Sequence, residues 1–199
     1  MDRLLVGVSG SVAVLNLPSY LATLRAELAR QVRVIMTRQA ARMLPPSTVA
    51  LICDEVFLDQ EPTTLRRPGH IELARWGEMF VILPATANVI GQAANGLGSS
   101  LLTTTILAAQ VPIVFCPNVH PVMWNKAVVQ RNVETLRKDG HTVIEPIVAT
   151  AYEVDSGEWR ESLVLPEPSL LAQQLEKIHQ NHDPDTSLPG GPLSPPTGR

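Results

Sequence analysis

The stretch "RLLVGVSGSVAVLNLPSYLATLRAELARQVRVIMT" (residues 3–37) decides the fold. Leu4, Leu5, Val6 and Val8 form an apolar run, the signal of a buried strand, which a turn of small residues then interrupts at Ser9, Gly10 and Ser11. Leu21, Leu24 and Leu28 follow at helical spacing, with Arg25, Glu27 and Arg30 placed to face water. "VRVIMT" (32–37) is a second strand. Strand, helix and strand in this order make a βαβ unit, the building block of a parallel sheet.

Working outward, strands and helices keep alternating. "RQAARML" (38–44) reads as a helix that stops before Pro45 and Pro46, and "TVALICDEVF" (48–57) reads as helical too. "QEPTTLRRPG" (60–69) is a polar loop. "HIELARWG" (70–77) is a short helix ended by Gly77, and "EMFVILP" (78–84) is a strand ending at Pro84. Residues 85–109 read as mostly helical, broken near Asn95, Gly96 and Gly98. "VPIVFCP" (111–117) is a strand. "NKAVVQRNVETLRKDG" (125–140) is a helix with Asn125 as its cap, an apolar stripe at Val129, Val133 and Leu136, and Gly140 at its end. "HTVIEP" (141–146) is a last core strand, "YEVDSGEWRESLVLP" (152–166) a strand–turn–strand, and "PSLLAQQLEKIHQ" (168–180) a final amphipathic helix. The expected architecture is a doubly wound α/β fold, Rossmann-like or flavodoxin-like, with a mostly parallel sheet in three layers over residues 1–181. The Pro/Gly/Ser-rich residues 182–199 carry no core-forming pattern and read as a disordered tail.

The 199 residues are 45% hydrophobic and 18% charged, which suits a chain with a sizeable core. A net charge of -3, with no basic stripe interleaved with aromatics, argues against nucleic acid as a partner. No run approaches the ~20 apolar residues of a membrane span. The N-terminus has no basic segment before its broken apolar run, so it reads as strand and turn rather than as a signal peptide. Cys53 and Cys116 lie far apart and outside any CxxC pair, against a disulfide framework or a metal site and in keeping with a reducing cytoplasm.

In open parallel sheets, ligands bind beyond the carboxyl ends of the strands, so the loops there are the candidates. "GVSGSVA" (7–13) serves either as a phosphate cradle of small residues or as a tight turn. Thr37 can offer a hydroxyl to a phosphate or cap the next helix. Thr86 and Asn88 in "PATANV" (84–89) put polar groups at the sheet's edge, again with a helix cap as the plainer role. "PNVHPVMWN" (117–125) gathers Asn118, His120, Met123 and Trp124 between prolines, a density that a plain connector does not need. His70 opens a helix directly after "RRPG"; it is either a general base or an exposed loop histidine.

"SGSVA", "HIELARW", "PATAN", "ANGLGSSLLTT" and "PNVHPVMW", in this order with strands between them, resemble the homo-oligomeric flavin-containing cysteine decarboxylases. These include the lantibiotic-type peptidyl-cysteine decarboxylases and phosphopantothenoylcysteine decarboxylase. The resemblance runs from about Arg3 to Pro166. It implies FMN, with FAD a less favoured choice, its phosphate near Gly10, Ser11, Val12 and Thr37. It implies a flavin ring near Pro84, Ala85, Thr86, Ala87 and Asn88, with Ser100 also on the cofactor side. It makes His70 the active-site base. It implies a C-terminal cysteine of a precursor peptide as substrate, held by Asn118, His120 and Met123 and by a clamp over residues 147–166 that includes Ser156, Gly157 and Trp159. It also implies an active site shared between subunits of a trimer or dodecamer.

Two departures from that family bear on the outcome. His120 stands where the family motif, PxMNxxMW, has the asparagine that holds the substrate carboxylate, and Val119 where it has methionine. Ser156 stands where the coenzyme-A-pathway enzymes carry a redox cysteine just before the flap glycine. Serine does no thiol redox chemistry, so the expected product is the enethiol rather than the saturated thiol. Phosphopantothenoylcysteine decarboxylase is therefore the nearest alternative and disfavoured. A flavin prenyltransferase of similar fold and a non-catalytic flavoprotein-like regulatory module are the others.

Overall fold

A computed structural model describes residues 1–59, 69–111, 113–154 and 156–182. The elements are β1 (Arg3–Val8), a 3-10 turn (Val12–Asn16), α1 (Leu17–Glu27), β2 (Gln31–Met36), α2 (Arg38–Met43), α3 (Pro46–Val49) and β3 (Glu55–Leu58). There follow α4 (His70–Trp76), β4 (Met79–Ala85), α5 (Ala87–Ala94), α6 (Leu101–Ala108), β5 (Ile113–Pro117), α7 (Pro121–Trp124), α8 (Ala127–Lys138) and β6 (Thr142–Val143). The last are β7 (Ile147–Glu153), β8 (Glu158–Val164) and α9 (Pro168–Asn181). Most of the loop read at 60–69 and nearly all of the tail read at 182–199 lie outside the described residues.

Six strands form one sheet in the order β3-β2-β1-β4-β5-β6, and every pairing in it is parallel. This is the Rossmann order, with the chain reversing direction across the sheet between β1 and β4. Alternate residues of each strand point to opposite faces. Leu4, Val6, Val8, Val32, Val34, Val81 and Leu83 therefore meet Leu17, Leu21 and Leu24 of α1 and Leu171 and Leu175 of α9. Leu5, Ile35, Phe80, Ile82, Ile113 and Phe115 face the other way, onto Leu73, Val89, Ile90, Leu102, Val129, Val133 and Leu136. The three-layer α/β expectation holds. β7 and β8 pair antiparallel with each other as a separate hairpin. Among the described residues, no helix is long and apolar enough to cross a membrane.

Three local readings are corrected. The segment 48–57 is not one helix: α3 ends at Val49, and residues 55–58 pair with β2 as the edge strand β3. Asp54 makes the difference, since its carboxylate accepts the Val32 N–H at 2.7 Å and a two-pronged bond from Arg25 at 2.9 and 3.1 Å. Asn125 does not cap α8; it ends α7, and Lys126 takes the cap position. The strand read at 141–146 shrinks to Thr142 and Val143 beside β5.

Gly7 lets α6 lie close on the sheet: a Cβ there would stand 2.4 Å from Leu102 Cδ1 and 2.8 Å from Ile82 Cδ1. Gly7→Val should cost about 1–3 kcal/mol by overpacking. The expected sign in urea unfolding is a lower midpoint at unchanged slope; an unchanged midpoint would show that this contact has slack.

Candidate functional site

The strand-end loops are joined by hydrogen bonds at the reversal between β1 and β4. The Ser9 hydroxyl donates to the Pro84 carbonyl at 2.8 Å and accepts the Thr86 N–H at 2.9 Å, while the Ser9 N–H reaches the same carbonyl at 3.2 Å. On one side the Thr37 N–H donates to the Val8 carbonyl at 2.9 Å; on the other, the Asn118 N–H donates to the Ala85 carbonyl at 3.0 Å. The loops after β2, β1, β4 and β5 are thus strung side by side, and Gly10, Ser11, Thr37, Thr86 and Asn118 sit along one edge. Ser9 was legible only as one more small residue in "GVSGSVA", although it is the buried member that ties the two halves of the sheet together.

Thr37 and Thr86 are both helix caps. The Thr37 hydroxyl accepts the Ala40 N–H at 3.3 Å to open α2, and the Thr86 hydroxyl accepts the Val89 N–H at 3.4 Å to open α5. A hydroxyl that accepts in this way still has a hydrogen to donate, so capping and anion binding do not exclude each other. The Ser11 hydroxyl differs, being buried with no partner. An unpaired buried polar group costs about 1–3 kcal/mol, which a ligand oxygen there would recover. Gly10 beside it admits no ordinary side chain, because a Cβ would lie 2.4 Å from Gln39 Cγ. Pro84 and Ala85 are buried at the end of β4, Ala87 is half-buried, and Asn88 is exposed, its side-chain Oδ1 accepting from Gln92 Nε2. Ser100 is bound into a capping box with Thr103 at the start of α6, where the Asp59 carboxylate also accepts the Leu101 N–H at 2.8 Å.

Next to this edge lies a cavity of about 830 Å³ between the start of α1, the loop after β5 and the β7–β8 hairpin. Val12, Leu15, Asn118, His120, Tyr152 and Trp159 are among the residues lining it. Tyr152 and Trp159 face each other across the hairpin, their rings edge-on at 5.9 Å. Tyr20 anchors the hairpin's base, its hydroxyl donating to the Pro166 carbonyl at 2.8 Å, and burial pushes that hydroxyl up to about 12. Val119 is buried in the core on one face of the sheet, so the position that the family motif gives to methionine is filled by packing. Met123 is exposed on α7.

His120 is held at both ring nitrogens. Nδ1 accepts the Val122 N–H at 3.3 Å, capping α7, and this leaves the proton on Nε2, which lies 3.1 Å from Glu153 Oε1. Glu153 Oε2 accepts the Ser156 hydroxyl at 2.6 Å, and Arg160 stands 3.8 Å away. The Ser156 and His120 hydrogen bonds hold the Glu153 carboxyl below the usual carboxylate range. Gly157 takes a left-handed φ of 70° in the hairpin turn. Nothing in the sequence singled out Glu153, because an acid on a hairpin reads as a solvated surface charge.

His70 is not brought to this cavity within one chain. It is exposed at the start of α4, in a shallow depression with Ile71, Glu72, Arg75 and Trp76. Neither cysteine can stand in for a redox thiol at Ser156. Cys116 is fully buried in β5, and burial pushes its thiol up; Cys53, by the edge strand, is pushed up to about 11 for the same first reason. Among the described residues, no cluster of histidine, cysteine and acidic side chains is placed to hold a metal ion.

Known proteins bear on this arrangement. The family described as Flavoprotein matches residues 1–162. Mersacidin decarboxylase of Bacillus sp. (strain HIL-Y85/54728) is 41% identical over 188 residues, which cover 94% of this chain and 95% of that protein. The solved structure of MrsD from Bacillus sp. HIL-Y85/54728 superposes with a TM-score of 0.78 at 38% identity, covering 89% of this chain and 96% of that one. SpaF, described as an FMN-dependent cysteine decarboxylase, superposes with a TM-score of 0.72 at 34% identity, covering 89% and 97%. With residues 1–162 matched by the family and most of its length shared with mersacidin decarboxylase, the chain belongs to the Flavoprotein family, alongside the cysteine decarboxylases that its motifs resemble.

Proposed function

We propose that this protein is an FMN-dependent peptidyl-cysteine decarboxylase. It converts the C-terminal cysteine of a precursor peptide to an aminoenethiol, a maturation step for a ribosomally made peptide natural product. One observation carries this reading: a strand-end cradle with the unpartnered Ser11 hydroxyl opens beside a cavity of about 830 Å³ walled by an aromatic-bearing hairpin. The likeness to mersacidin decarboxylase and to SpaF supports the choice of reaction.

Gly10, Ser11, Val12 and Thr37 would hold the FMN phosphate, and Pro84, Ala85, Thr86, Ala87 and Asn88 would flank the ring, with Ser100 nearby. The chemistry that bound FMN would supply is a two-electron acceptor for oxidation of the cysteine Cβ–S unit, which would put a thioaldehyde β to the carboxylate and let CO2 leave. His120 and Asn118 bind the terminal carboxylate, with Met123 beside them on α7. Val12, Leu15, Tyr152 and Trp159 cover the end of the peptide and exclude water, and Ser156 and Gly157 shape the turn above it. His70 takes up the proton released in the oxidation. As it lies apart from the cavity in one chain, a second copy brings it there, in a trimer or dodecamer. With serine at 156 and both thiols buried, the chain has no group to return electrons to the enethiol. Buried free thiols also fit work in a reducing cytoplasm.

Three measurements test the reading. The holoprotein incubated with peptides ending in cysteine should yield products lighter by CO2 and two hydrogens in mass spectrometry. Loss of CO2 alone would remove the Ser156 argument, and no change in mass would sink the reaction itself. Ser11→Ala should make the flavin-free protein more stable, by up to about 1–3 kcal/mol, since it deletes a buried unpaired hydroxyl, yet weaken FMN binding about tenfold; equal FMN affinity would place the phosphate elsewhere. His70→Asn should keep its bound flavin and its yellow colour while losing product, and turnover retained in that variant would rule His70 out as the base.

A further inference from the structure

Among the described residues three groups surround the Glu153 carboxylate, and two of them belong to the hairpin that carries it. Ser156 donates to it at 2.6 Å from the turn, and Arg160 stands 3.8 Å away on β8. Only the third, His120 Nε2 at 3.1 Å, lies outside the hairpin. This bond therefore joins the tip of the hairpin to the loop after β5. At its base the hairpin is held separately, by the Tyr20–Pro166 bond and by buried Leu165. Glu153 also sits directly across from Glu158 in the β7–β8 register. Like charges opposite each other disfavour the strand pair, so Glu153 gains by turning to outside donors.

His120 has one N–H to offer, because Nδ1 already accepts the Val122 N–H. That N–H is spent on a carboxylate at the wall of the cavity, which His120 and Glu153 both line. The site thus already binds a carboxylate, supplied by the protein itself. A second carboxylate arriving in the cavity meets both the occupied donor and the negative charge of Glu153.

We infer that Glu153 is a specificity-determining residue: it occupies the His120 N–H and latches the hairpin tip until the free α-carboxylate of a peptide displaces it. This rests on the peptidyl-cysteine reading for the identity of the arriving carboxylate. Displacement costs the cavity no donor, since one carboxylate replaces another, and Glu153 keeps the Ser156 hydroxyl within the hairpin, with Arg160, itself bonded to Glu158, 3.8 Å away. A peptide terminus without a free carboxylate has nothing to exchange, so the latch stays closed to it.

The test uses the FMN-loaded protein and its Glu153→Gln and Glu153→Ala variants. The binding probes are a pentapeptide ending in serine, close in shape to a cysteine-ended one but inert, as free acid and as amide. In the parent protein the acid should bind and shift the His120 imidazole resonances as its Nε2–H leaves Glu153, and the amide should do neither. Without any peptide, residues 147–164 should show faster amide hydrogen exchange in Glu153→Ala than in the parent, and less so in Glu153→Gln, whose amide oxygen can still accept the His120 N–H; in both variants the acid should bind up to about fivefold tighter, the range of an exposed ion pair. With cysteine-ended peptides the same gain should appear in KM and not in kcat. Weaker acid binding in the variants, or hairpin exchange equal to that of the parent, would overturn the latch. Absence of turnover in the parent would count against the decarboxylase reading alone, since the exchange and binding measurements need no reaction.

Discussion

Everything at the working end of this molecule depends on the Ser9 hydroxyl. At the point where the chain reverses across the sheet, β1 and β4 lie side by side, and their carboxyl ends must diverge to open a crevice. Ser9 bridges that divergence by donating to the Pro84 carbonyl and accepting the Thr86 N–H. The loop that bears Gly10 and Ser11 is thereby fixed against the loop that bears Thr86 and Asn88. Because the bridge is buried, water does not compete for it, and the two loops keep one relative position.

Around that fixed edge the site has two halves. One is strand ends and helix caps: Thr37, Thr86 and Ser100 each hold the first turn of a helix. The other is the hairpin, which pairs with itself in the sheet topology and meets the body near its base, through Leu163 and the Tyr20–Pro166 bond, and at Glu153. This division suits a cofactor that stays and a substrate that comes and goes.

The central strands were legible in the sequence because they are buried on both faces and so read as unbroken apolar runs: Leu4–Val8, Met79–Ala85 and Ile113–Pro117. The edge strand β3 was not. β3 depends on Asp54 reaching Arg25 and the Val32 N–H, partners set by the tertiary fold and invisible in the local pattern. The same holds at the site. Gly10, Ser11, Thr37, Thr86 and Asn118 follow from knowing where strands end. Ser9 and Glu153 matter through bonds spanning 75 or more and 33 residues, and no local pattern marks either. His70 was legible as a residue type in a telling position, yet its distance from the cavity in one chain is a property of the folded surface.

The placement of the hairpin has a consequence for how such proteins diversify. It leaves the chain after β6 and returns at Pro166, where Tyr20 receives it, and α9 then packs back on α1. Of residues 147–164, Leu163 near the base packs against the core, while the tip of the hairpin takes no part in closing it. Lengthening or rewriting such an excursion adds only a slowly growing entropy cost. Descendants of this scaffold can exchange one hairpin for another, and with it one class of peptide for another, while the flavin-side half of the molecule is inherited unaltered.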